Sequence, residues 1–368
     1  MKIFRIVSRI LLGIVFIVSG FVKGIDPLGT SYRLEDYFQA FGILWAVPFA
    51  LYLSIFLCTL EFIIGISLLF NLWIKRSAWA LLCMMIFFTC LTFIDAVYNL
   101  VPDCGCFGDA IKLTNLETFL KNIVLMIFVL PVFAERKKFK NWAPVRAQKI
   151  FLLIFSLSFM GVSIFSYRHL PVIDFMGWKV GSKVNIPAVP LKFYVTYKNK
   201  VTGEEKEYLT PDYPWNDSVW MSQWAFKSQR AIDPVKGQAM ALRVEDEHGA
   251  DISSSIVDNP ELQFILVAYY LGKTDTVAFN RILLFYKKAT NEGYSFICLT
   301  SSLQGDIKKF RMDNGAAFSF YNADDVVLKT MVRSNPGLIV IRNGIVLAKW
   351  PFRNFPSYEI VMEKFRNP

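Results

Sequence analysis

Histidine is scarce in this chain, with two among 368 residues, and neither lies near the closest pair of cysteines, Cys104 and Cys106. A metal centre built on local Cys and His spacing is therefore disfavoured, because that loop offers only Asp103 and Asp109 as further ligands. Charged residues are also sparse at 19%, against 54% hydrophobic residues, and a mean hydropathy of +0.38 is too apolar for a wholly soluble protein. No internal repeat, low-complexity tract or pair of interrupted apolar segments is present, which argues against a repeat-built transporter. No small-x-small cleavage site follows the basic, apolar N-terminus, so that segment is expected to be a retained span rather than a signal peptide.

A membrane bilayer is the first partner implied. Apolar runs over residues 3–22, 45–70, 78–101, 116–133 and 150–167 are each near the roughly 20 residues needed to cross it. Lys2, Arg5 and Arg9, then Lys75 and Arg76, then the basic loop 136–149 fall on one side of these runs. The positive-inside bias makes that side cytoplasmic, so the loops near residues 26–44 and 102–115, and everything after the fifth run, face outward. Residues 1–168 carry 16 basic and 9 acidic side chains and the remainder 24 and 21. The net charge of +10 is thus mostly a topology signal, and a nucleic-acid partner is not expected.

Cys104-Gly105-Cys106 lies in a short outward loop between two apolar runs. Glycine lets the backbone bend so the sulfurs can approach, while so small a ring departs from relaxed disulfide geometry and is easier to reduce than a structural bridge. A reversible dithiol is the favoured reading; unreactive thiols or half a metal site are the alternatives. Cys83 and Cys90 are seven residues apart on one helix, about 10 Å along its axis, beyond disulfide reach. Cys58 and Cys90 fall at similar depth on antiparallel runs and form a lesser candidate pair. Cys298 reads as core.

Ionisable residues inside apolar runs need partners or a wet cavity. Arg9 and Glu61 are expected to pair on the cytoplasmic side, and Asp95 to lie near Lys23 or Lys121 on the outer side. These groups either fix helix docking or line a proton path beside a redox site.

Beyond residue 168 the composition changes to alternating strands, turns and charged helices. A hairpin is expected over 192–208. From Gln263 the order is strand 263–270, helix 274–292, strand 294–300, helix 304–313, strand 318–321, helix 325–333, a hairpin over 338–350 and a last helix 356–365. The pattern is α/β with a mixed sheet.

The segments Arg9-Ile-Leu-Leu-Gly13, Ser19-Gly20-Phe-Val-Lys23 with Asp26-Pro27, Leu60-Glu61 and Cys104-Gly-Cys-Phe-Gly108 resemble the DoxX/MauE group of four-helix membrane proteins. That resemblance implies a membrane redox partner for periplasmic disulfide formation, similar in architecture to quinone-linked thiol oxidases, so a quinone is the cofactor to consider. The region from about Gln263 resembles the thioredoxin-like fold of the TlpA type, with Ser334-Asn-Pro336 in place of the loop whose proline is usually cis. It departs from that family where a Cys-x-x-Cys should follow the first core strand: the sequence is Tyr270-Leu-Gly-Lys-Thr-Asp275. Such a domain runs no dithiol chemistry of its own.

The expected organisation is a four-helix membrane domain (1–135), a basic cytoplasmic loop (136–149), a fifth membrane helix (150–168), a β-rich periplasmic segment (169–262) and a degenerate thioredoxin-like domain (263–368), in a bacterial inner membrane. The expected function is thiol-disulfide exchange with a periplasmic client through Cys104 and Cys106. The alternative is a non-catalytic anchor or subunit of an envelope complex. Tyr270, Lys273, Thr274 and Pro336 are the expected partner-binding surface, unless Pro336 merely shapes a turn into the core.

Overall fold

The computed structural model describes residues 2–101, 105–111, 113–140, 143–184, 192–209, 214, 217–232, 242–246 and 248–366. Its first part holds α1 (Lys2–Ile25), α2 (Pro27–Ala40), α3 (Ala50–Leu69), α4 (Ile74–Tyr98), α5 (Asn115–Ala134) and α6 (Val145–His169). Among the described residues five helices are long and apolar enough to cross a membrane: α1, α4, α5, α6, and α3 together with the 3-10 turn Leu44–Phe49 before it. Large apolar side chains such as Ile14, Phe87, Ile127 and Leu157 remain exposed on their outer faces, as bilayer contact requires.

The bundle is organised by close approach of α1 and α3. A Cβ on Gly20 would lie 2.6 Å from the Phe62 backbone nitrogen, and one on Gly65 2.6 Å from that of Ile17. Small residues allow this backbone contact, and tight packing is the main helix-helix attraction available in lipid. Gly20→Val or Gly65→Val is expected to force the helices apart at a cost of about 1–3 kcal/mol, seen as a lower midpoint for thermal unfolding in detergent. An unchanged midpoint would mean the two helices pack differently. α6 is more than a tether, since Phe159 stacks on Phe62 with ring centroids 4.2 Å apart.

α2 is a finding against expectation, because its residues read as part of an outward loop. Asp26 caps it by accepting from the Gly29 amide at 3.0 Å, and Pro27 occupies the first turn, where its missing N–H costs nothing. α5 begins with a capping box between Thr114 and Glu117.

The second part contains β1 (Lys192–Asn199), β2 (Glu205–Leu209), α7 (Ser218–Gln223), β3 (Trp224–Ile232), β4 (Val244–Glu245), α8 (Ser253–Val257) and β5 (Gln263–Val267). It continues with α9 (Phe279–Asn291), β6 (Ser295–Thr300), α10 (Gln304–Asn314), β7 (Ser319–Ala323), α11 (Asp325–Met331), β8 (Gly337–Arg342), β9 (Ile345–Pro351) and α12 (Tyr358–Phe365). The hairpin β1–β2 gains β3 as a third antiparallel strand, and Tyr197, Trp220 and Trp224 pack against this small sheet.

The larger sheet has the order β4-β7-β6-β5-β8-β9, with β5, β6 and β7 mutually parallel and β8 and β9 antiparallel. It is a mixed α/β domain. β5 is buried along its whole length, and apolar clusters cover both faces of the sheet. Cys298 is fully buried in β6, as expected of a core residue. α9 starts later than the sequence pattern suggests. Residues 271–273 form a 3-10 turn and Thr274 Oγ1 donates to the Tyr270 carbonyl, so the intervening chain is used in a turn.

Candidate functional site

The antiparallel register of α1 and α3 dictates the polar pairing in the bundle. With Gly13 against Leu69 and Gly20 against Phe62, Lys23 arrives beside Glu61, and the two form a buried ion pair. The expected Arg9–Glu61 pair is therefore corrected. Arg9 lies one end of the helix away and donates instead to the Leu68 carbonyl at 2.6 Å, capping the end of α3. Asp95 pairs with neither Lys23 nor Lys121: its Oδ2 accepts from the Tyr37 hydroxyl of α2. Lys121 sits over the Phe107 ring at 4.8 Å.

Around Lys23 and Glu61 the helices enclose a cavity of about 90 Å³. Its walls carry Ser19, Cys58, Phe88 and Asn122, and its outer rim is closed by Arg33 of α2 and by Gly105 and Cys106. Ser19 Oγ donates to the Cys106 carbonyl at 2.6 Å, and the Gly108 amide donates to the Gly105 carbonyl at 2.9 Å, so the loop is pinned to α1 and folded on itself. Cys104 lies outside the described residues. Cys58 is buried against the cavity whereas Cys90 is exposed on the outer face of α4, so the lesser candidate pair is not brought together. Among the described residues no group of three His, Cys, Asp or Glu side chains is placed to hold a metal ion.

The loop is held from the second part of the chain as well. Asp109 bridges two arginines, accepting from Arg33 Nη2 at 3.0 Å through Oδ1 and from Arg333 Nη2 at 2.6 Å through Oδ2. Arg333 Nε also reaches Asp26 Oδ2 at 2.9 Å. Burial opposes the Arg333 charge, but Asp26 and Asp109 more than offset it and hold the guanidinium pKa above its ordinary value. Beside this clamp the Tyr32 and Tyr269 hydroxyls meet at 2.6 Å, and Lys329 lies 5.0 Å from the Tyr32 ring centre. Burial, then the mutual contact, raises the Tyr32 pKa, so this phenol stays protonated and available to hydrogen-bond.

The segment Tyr270–Asp275 and the Asn335–Pro336 peptide, which is cis, are neighbours. Asn335 Nδ2 donates to the Tyr270 carbonyl at 2.9 Å, and the Asp275 amide to the Asn335 carbonyl at 3.1 Å. Tyr270 and Lys273 are exposed, Thr274 is half-buried and Pro336 is buried, with its carbonyl accepting from Ser334 Oγ and the Phe352 amide.

Sequence reasoning missed Arg33, Tyr32, Tyr269 and Arg333. Only Arg33 carried a legible signal: Asp26-Pro27 is a helix start, and residue 33 then falls four residues beyond Gly29 on one face.

No curated protein matches the chain. Residues 1–134 match the family model described as Methylamine utilisation protein MauE. The chain is thus a membrane protein with a MauE-like N-terminal region followed by a mixed α/β sheet domain.

Proposed function

We propose that the protein exchanges electrons with client proteins through Cys104 and Cys106, at the periplasmic face of a bacterial inner membrane. A client thiolate attacks one sulfur of the loop disulfide to give a mixed disulfide, and the second client thiol resolves it. Two electrons and two protons pass to the loop. The observation that carries this reading is the seating of Cys106: it borders the cavity holding Lys23 and Glu61, and its loop is braced by Ser19, Arg33 and Arg333. Such bracing suits a pair of thiols that must return to one geometry after each turnover.

The basic segments 2–9, 75–76 and 136–149 support a cytoplasmic N-terminus and a periplasmic C-terminal domain. That domain is read as thioredoxin-like, on its strand order, without the dithiol motif. Its contribution is to hold a client beside the loop, with Tyr270, Lys273 and Thr274 on the accessible side. A quinone is not part of the proposed step. Lys23 and Asn122 would suit ring carbonyls, but about 90 Å³ is well below the roughly 300–1,000 Å³ of pockets that seat small molecules.

A second reading, a non-catalytic subunit of an envelope complex, is favoured by one observation: the end of the sheet where β5 finishes and β8 begins, at Tyr269 and Arg333, is already occupied by α2 and the cysteine loop of the same chain. Differential alkylation in intact cells separates the two. Electron exchange requires that Cys104 and Cys106 resist an impermeant maleimide until a reductant is added and then react together. Two thiols that are free throughout growth would favour the subunit reading.

A further inference from the structure

Glycine at position 105 does more than relax the backbone. Its φ is +61°, and a Cβ there would fall on Cδ and Nε of Arg33, with Cζ 3.0 Å away. The arginine side chain is therefore laid against Gly105, on the same cavity rim as Cys106. Its guanidinium is anchored at both ends, donating to the Gly29 carbonyl at 3.1 Å and to Asp109 Oδ1 at 3.0 Å.

Arg33, Arg333, Asp26 and Asp109 form a charge-balanced cluster, within which the Arg33 side chain is the group laid against Gly105. Asp109 is shared, because its other oxygen is taken by Arg333, which also neutralises Asp26. Lys23 of α1 is paired with Glu61 of α3 and also lies within electrostatic reach of Cys106 across the cavity, and Lys121 of α5 adds a further cation at the rim through its place over Phe107. Asp95 is engaged by Tyr37.

We infer that Arg33 is a positioning residue for the thiol chemistry: it holds the Cys-Gly-Cys loop and stabilises the thiolate of Cys106, and glycine is required at position 105 so that it can lie there. The Cys106 Sγ–H gives its proton to solvent, and the guanidinium beside Gly105 favours the anion that attacks or leaves in thiol-disulfide exchange. This deepens the proposed function, yet its measurement needs no client.

The test uses the full-length protein in detergent micelles, reduced, with Cys104→Ser so that one loop thiol remains. The rate of Cys106 alkylation by iodoacetamide is followed across pH by peptide mass spectrometry. Arg33→Met is expected to raise the apparent thiol pKa by about one unit, slowing alkylation roughly tenfold on the acid side, whereas Arg33→Lys keeps the profile near that of the parent. An unshifted profile in Arg33→Met, or an equal shift in Arg33→Lys, would overturn the inference. A failure of client oxidation with the Arg33 shift intact would instead count against the proposed function alone.

Discussion

Glu61→Gln is expected to strip the membrane bundle of much of its stability, because it leaves Lys23 charged and alone in a site where both side chains are almost wholly buried. Breaking one side of a buried ion pair typically costs about 3–5 kcal/mol, most of it the penalty of the stranded charge. That is a large fraction of the margin by which a domain is folded. The double change Lys23→Met with Glu61→Gln removes both charges, so it should recover most of the loss, since an apolar replacement of a buried pair is often close to neutral. The measurement is the thermal midpoint in detergent for the two single variants and the double. Arg9→Gln, which removes hydrogen bonds to the Leu68 and Leu69 carbonyls and a contact with the Phe139 ring, should add to Glu61→Gln without rescue. Rescue by Arg9→Gln, and none by Lys23→Met, would mean that the helices meet in another register.

The second large effect is expected at Arg333, whose side chain is 4% exposed between two carboxylates from the membrane part. Arg333→Met removes the guanidinium that bridges Asp26 and Asp109. Truncating one partner of a buried, hydrogen-bonded charge cluster costs about 2–5 kcal/mol at an interface. The α/β domain should then loosen from α2 while keeping its own fold, because Arg333 lies outside its two apolar clusters. Hydrogen exchange of the full-length protein should show faster exchange in α2 and around Asp109, with β5 and β8 still protected. Tyr32→Phe removes a single hydrogen bond and should move the same readout far less, by about 1 kcal/mol. Equal protection of α2 in Arg333→Met and the parent protein would rule out the clamp.

Much of the architecture is legible in the sequence because it rests on long signals. Five apolar runs each extend for a membrane thickness, and the strand and helix order after Gln263 follows periods of 2 and 3.6 with Gly293, Gly315 and Asn343-Gly344 as punctuation. α2 escapes such reading. Its apolar and polar residues nearly balance, and only the Asp26-Pro27 start marks it as a helix. β3 is hidden for a different reason: its pairing with β1 carries an irregularity at Thr196/Tyr197, which breaks the alternation.

The site is less legible than the fold because it is made of distant contacts. Arg9 and Lys23 lie 14 positions apart on α1, about 21 Å along its axis, yet depth read from the bounds of the apolar runs is coarse enough to favour the wrong one as the partner of Glu61. The choice is made by where Gly13, Gly20 and Gly65 let the backbones touch. Arg333 and Asp26 are separated by 307 positions, and no local pattern foretells their meeting. Cys106 and its loop, by contrast, stand out in the sequence because two thiols around one glycine are rare enough to draw attention unaided.

Trapping in native membranes tests the exchange of electrons most directly. Thiol-disulfide exchange is reversible, so with Cys106→Ser or Cys104→Ser the remaining loop thiolate attacks a client disulfide and no second loop thiol is present to release the adduct; one of the two variants should accumulate covalent adducts with other proteins that disappear on adding a reductant. The parent protein should hold Cys104 and Cys106 as a reducible disulfide in a sizeable fraction of molecules. Both thiols free in the parent, together with no reductant-sensitive adduct in either variant, would contradict thiol-disulfide exchange at this loop.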